Sequence, residues 1–110
     1  MKYLCLVYLE NDKLHAVQDT ECKAFGEGLR ETGVLHAAAP LFPTDTATTV
    51  RVRQGRVAVT DGPFAETKEQ LAGFYLIEAG DLNEAINMAA KIPPAREGSI
   101  EVRPVRELQA

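Results

Sequence analysis

Two segments of this chain are apolar on both of their alternating faces, and that pattern limits the fold more than any motif does. In Lys2–Leu9, one face carries Tyr3, Cys5, Val7 and Leu9 and the other Leu4, Leu6 and Tyr8. In Leu71–Glu78, Ala72, Phe74 and Leu76 alternate with Gly73, Tyr75 and Ile77. Side chains of a strand point alternately to opposite faces of its sheet, so such strands need cover on both sides. At 110 residues the chain can build one core and not two. It carries two helical patterns. Thr20–Thr32 sets Cys22, Phe25, Leu29 and Thr32 at helical spacing and stops at Gly33. The second follows Asp81, whose spacing to Glu84 resembles a capping box; it carries Leu82, Ala85, Ile86, Ala89 and Ile92 and ends at Pro93-Pro94. Two helices cover one sheet face. A bare apolar face is rare in a monomer, and a second copy of the same sheet is the simplest cover. The expectation is therefore a ferredoxin-like α+β chain, two helices on one face of a mainly antiparallel sheet, assembled as a face-to-face homodimer.

The rest of the chain completes that plan. Val34–Leu41 reads as an irregular strand ending at Pro40 and Pro43, and Ile100–Arg106 as the last strand. Between them, Thr48–Arg53 and Arg56–Thr60 alternate strictly around Gln54-Gly55, a two-residue hairpin turn. Pairing across that turn sets Val52 opposite Val57 and Val50 opposite Val59, all on one face. Gly26 falls near the apolar face of the first helix, where close packing on the sheet would explain it. No repeat or linker divides the chain, so residues 1–110 read as one domain.

Composition removes several classes of function. A formal charge of -4 lacks the basic excess of a nucleic-acid binder. No apolar run approaches the ~20 residues of a membrane span. The apolar start is broken at Glu10, Asn11 and Asp12 and reads as a strand rather than a signal peptide, which makes the cytoplasm the expected location. Cys5 and Cys22 sit on apolar faces outside any metal or redox spacing, and read as small buried thiols. No phosphate loop, nucleophile elbow or zinc-binding helix motif is present, so neither a cofactor nor a metal is expected.

The run Asp61-Gly62-Pro63-Phe64-Ala65-Glu66-Thr67-Lys68-Glu69 is the candidate functional centre. Gly62 and Pro63 stiffen a turn that would hold the Asp61 carboxylate in one direction, as a general base or a ligand-binding group requires. The plainer alternative has Asp61 capping the turn and Phe64 plugging the core. Glu66 to Glu69 reads as a short helical turn. Glu66 and Glu69 with Asp61 would make a carboxylate cluster suited to a hard cation, though a solvated turn neutralised by Lys68 is the simpler reading. On the last strand Glu101 and Arg103 share a face, either as an edge ion pair or as an anchor for an anionic ligand. Arg51, Arg53 and Arg56 gather on the non-valine face of the hairpin, as a solvated tip or an anion site. His36, among apolar neighbours, is a weak second candidate for a catalytic base.

Thr60–Leu71, with Gly73-Phe74-Tyr75-Leu76 and Glu101-Val102-Arg103-Pro104-Val105, resembles the YCII-related proteins, in particular the branch called DGPF-domain proteins. The likeness extends over nearly the whole chain. It implies a dimeric α+β barrel with a cleft into which the Asp61 turn projects. Relatives of this type include a small enzyme acting on a chlorinated aromatic diol, for which a His–Asp pair has been proposed. Asp61 matches the Asp of that pair. The His lies in the first helix, where this chain reads Thr20-Glu21-Cys22-Lys23-Ala24-Phe25 and has none. DGPF-type proteins are also associated with extracytoplasmic-function sigma factors. The resemblance thus implies two alternatives: a small-molecule-binding or regulatory module with a sigma factor as a partner, or a cofactor-free enzyme using Asp61. In the enzyme reading Arg103 would hold an anionic substrate group, and Glu66 and Lys68 would support the turn. In the module reading the Asp61 turn holds the dimer together. The expected ligand-binding residues are Arg103, Glu101, Glu66 and Lys68.

Overall fold

A computed structural model describes residues 1–109. Six strands and two helices follow one another as β1 (Lys2–Glu10), α1 (Asp19–Glu31), β2 (Leu35–Pro40), β3 (Thr48–Arg53), β4 (Arg56–Asp61), β5 (Glu69–Glu78), α2 (Leu82–Ala89) and β6 (Ser99–Pro104). Short 3-10 turns occupy Asn11–Lys13, Thr44–Thr46 and Pro93–Arg96. The strands form an antiparallel sheet in the order β2-β5-β1-β6, and a separate two-stranded ribbon of β3 and β4. This is the ferredoxin-like arrangement, with the ribbon inserted between β2 and β5.

The two doubly apolar strands are the central ones, as their composition demands. On the helix side Tyr3, Cys5, Val7 and Leu9 of β1 and Tyr75 and Ile77 of β5 are buried with Leu35 of β2 and with Ala85, Ala89 and Ile92 from α2 and its C-terminal extension. Phe25 of α1 meets Tyr75 edge to face, with centroids 5.7 Å apart. Their partners on the opposite side of the sheet, Leu4, Leu6, Phe74 and Leu76, have no helix over them and stay partly exposed.

Local chemistry fixes the ends of the elements. The α1 C-terminus closes with Val34 N–H donating to the Leu29 carbonyl across Gly33, whose φ of 77° suits glycine. At α2, Asp81 accepts from the Glu84 N–H at 2.8 Å, which satisfies one otherwise orphaned donor. Arg96 forks onto Glu21 through two bonds of 2.8 and 2.7 Å, tying α1 to the turn before β6. Gly98 enters β6 so close to β1 that a Cβ there would lie 2.1 Å from the Tyr8 carbonyl oxygen. At Gly26 the fit is looser than expected: a Cβ would meet Leu35 at 3.8 Å, an ordinary contact.

The hairpin adopts the expected register, Val50 opposite Val59 and Val52 opposite Val57, on a turn with positive φ at Gln54 and Gly55. Its position was not expected. The four valines are 57–68% exposed, because no other element among the described residues lies over them.

Candidate functional site

The open face of the sheet is built from two rows of side chains running across the four strands. Ala39, Phe74, Leu6 and Glu101 form one row, and Ala37, Leu76, Leu4 and Arg103 the next. Their strands' other faces are filled by the core, so these side chains point away from the helices. The face is therefore apolar in the middle and charged along β6. Arg103 Nη1 stands 3.7 Å from Glu101 Oε2, a long ion pair between exposed groups that is worth little by itself. It leaves most guanidinium donors free.

The Asp61 turn is held by backbone, not by Asp61. Gly62, at φ 105°, donates its N–H to the Ala47 carbonyl at 2.7 Å and accepts from Thr49 Oγ1 at 2.9 Å. Among the described residues the Asp61 carboxylate makes no hydrogen bond or ion pair, and it is exposed. Capping by Asp61 is thus not what shapes the turn. Nor does Phe64 enter the core: it is 79% exposed, under the Arg51 guanidinium at 5.7 Å. The cation over the ring holds the loop against the arginine face of the hairpin.

Glu66 to Glu69 is not a helical turn. Residues 62–68 run as bends, and Glu69 already belongs to β5. A buried side chain explains why. Gln70 donates to the Ala65 carbonyl at 3.1 Å and the Thr67 carbonyl at 2.7 Å, and takes up the carbonyls a helix would have used internally. Lys68 reaches Glu10 at 3.3 Å and Glu69 accepts from Ser99 at 2.6 Å, so the loop is fastened to the end of the sheet. Glu66 stays exposed. Glu69 is committed to Ser99, and no group of three or more potential ligands able to hold a metal occurs among the described residues.

His36 is brought to Glu78, not to Asp61. Its Nε2 lies 3.0 Å from Glu78 Oε1, while the other Glu78 oxygen takes the N-terminal ammonium of Met1. The ammonium first, and His36 second, hold the Glu78 carboxyl below the usual carboxylate range. Glu78 ends β5, whereas the loop that follows Asp61 enters β5 at Glu69, so His36 is paired at the far end of the strand from that loop. On α1, Cys22 is half-buried, and burial raises both its thiol and the Tyr75 hydroxyl, the tyrosine to about 12. Burial likewise raises the Cys5 thiol to about 11, which leaves neither cysteine a ready nucleophile. Gln70 and the Glu78 cluster were missed in the sequence because both depend on contacts between distant segments.

The sheet order and the two helices on one face define a ferredoxin-like α+β fold with one apolar sheet face left open. A YCII-related domain matches residues 1–109, and the chain belongs to that family. It is 51% identical over 77 residues to Uncharacterized protein R00369 of Rhizobium meliloti (strain 1021), a match covering 68% of this chain and 62% of the relative. The chain therefore spans less than two thirds of that relative's length. In structure it is similar to 5-chloro-2-hydroxyhydroquinone dehydrochlorinase (TftG) from Burkholderia phenoliruptrix AC1100, solved in complex with 2,5-dihydroxybenzoquinone. The TM-score is 0.59 at 15% identity, over 96% of this chain and 94% of that one. No helix among the described residues is long and apolar enough to cross a membrane.

Proposed function

We propose that the chain works as a homodimer that binds a small apolar or aromatic ring bearing an anionic group, in a cleft between two open sheet faces. The observation that carries this reading is the open face itself, with Phe74, Leu76, Leu4 and Leu6 beside a loosely paired Arg103. Two such faces cover each other's apolar rows and bring Arg103 and Glu101 to the rim. An apolar wall with a few convergent polar groups is the usual make-up of a small-molecule site. Arg103 supplies a planar fork for a carboxylate or an ionised hydroxyl. Glu101, paired at 3.7 Å, leaves most of that fork's donors open to a ligand. The structural neighbour's complex with a dihydroxybenzoquinone supports a ring-shaped ligand of this kind. The regulatory form of this reading has an extracytoplasmic-function sigma factor as the receiving partner, and predicts that ligand alters its retention on the immobilised dimer.

A thermal-shift screen of aromatic acids, phenols and quinones tests the binding. Saturable stabilisation is expected for anionic rings, weakened at least about tenfold in Arg103→Ala. An unchanged affinity in that variant removes Arg103 from the site.

The alternative is a cofactor-free enzyme with Asp61 as acid/base. Its support is the Asp61 carboxylate, which is free of protein partners on a turn that Gly62 holds rigidly. Asp61→Asn should then abolish turnover of a bound ring compound with its binding intact. Turnover at the original rate sinks this reading.

A further inference from the structure

We propose that the β3–β4 hairpin is an exchanged arm, its valine face packing on a second copy of the chain; this rests on the homodimer above and adds a second contact to it. An isolated two-stranded ribbon is marginal in water and needs a further apolar layer. Here the strands pair chiefly with each other, and every residue of β4 is exposed. The chain's own loop reaches only the β3 half of the other side, at Thr49 and Arg51. Arg51 lies over Phe64 and Thr49 bonds to Gly62, which turns the Val50, Val52, Val57 and Val59 face outward.

Area selects the occupant. Four valines at this exposure present on the order of 400 Å2, equal to the largest apolar patch of a typical monomer. That is about half of the ~800 Å2 each partner gives to a standard interface, and the open sheet face supplies the remainder. Arg51, Arg53 and Arg56 lie on the opposite face of the ribbon, so the valine contact is an apolar one, and in a two-fold dimer it is made twice.

The double variant V52K/V57K tests this by sedimentation velocity beside the unmodified chain and the opposite-face variant Ala58→Lys. Both valines are exposed in the protomer, so the body stays folded, as circular dichroism will show. Self-association of V52K/V57K should weaken about tenfold or more, with Ala58→Lys close to the unmodified chain. An unmodified chain that dimerises while V52K/V57K dimerises equally well overturns the arm alone and assigns the valine face to another partner. A monomeric unmodified chain overturns the arm and the dimer together.

Discussion

The central strands are apolar on both faces and the inserted hairpin on one, and their apolar side chains meet opposite fates. Cys5 and Ile77 in the sheet are almost fully buried, whereas Val52 and Val57 in the hairpin lie open. Alternation states that a strand has an apolar face; it does not state what covers the face. For the helix side of β1 and β5 the cover is local, because α1 and α2 return over the sheet. The open side and the hairpin have no cover in the same chain. The proposed homodimer would cover both apolar surfaces in one event, association with a second copy.

The sharpest test of this contrast compares a truncation in each region. Ile77→Ala should cost about 2–5 kcal/mol by chemical denaturation, as large-to-small changes in a packed core do. Val52→Ala should change protomer stability by less than ~0.5 kcal/mol, as an exposed site does, and should show its effect only at concentrations where the dimer forms. Equal losses at all concentrations would place the hairpin inside the protomer's own core.

Next in size is the loop that joins the two regions. Gln70→Ala leaves the Ala65 and Thr67 carbonyls without their side-chain donor, at a cost of about 1–3 kcal/mol. Amide exchange at residues 62–68 should accelerate while that of β1 does not. If the loop exchanges as before, Gln70 is not its anchor.

A smaller effect is expected from pH. The folded state holds the Glu78 carboxyl low through the Met1 ammonium and His36, and the Glu21 carboxyl low through Arg96. A carboxyl lower in the folded than in the unfolded chain stabilises above the ordinary unfolded carboxylate range. That stabilisation drains away as pH falls through the folded value. Melting curves should therefore soften on the acid side, and Glu78→Gln with Glu21→Gln should flatten that limb. Both sites are exposed, so a steep acid transition surviving in the double variant would point elsewhere.

The smallest change is expected at Gly26. A Cβ has room against Leu35, so Gly26→Ala should raise stability by up to about 1 kcal/mol through helix propensity. A loss would mean that the helix sits closer to β2 than 3.8 Å allows.

The sheet and the hairpin register were legible because independent local signals agreed: alternation, the Gln54-Gly55 turn and the stops at Gly33 and Pro93. The candidate site was legible only in part. The stiff turn at Gly62 was readable from residue type, and the shared face of Glu101 and Arg103 from alternation. The shape of residues 62–68 was not, because a short charged run has no period and Gln70 decides it by reaching back to Ala65 and Thr67. The pairing of His36 with Glu78 also escaped, since it joins residues 42 apart across neighbouring strands.

Sedimentation equilibrium of the unmodified chain and of Leu6→Glu tests the central claim, that a second copy closes the open sheet face. Leu6 lies on that face opposite Phe74 and Glu101, outside the protomer's core. The account predicts the mass of two 12.0 kDa chains for the first and of one for the second. A monomeric unmodified chain, or a Leu6→Glu variant that remains a dimer of undiminished affinity, contradicts it.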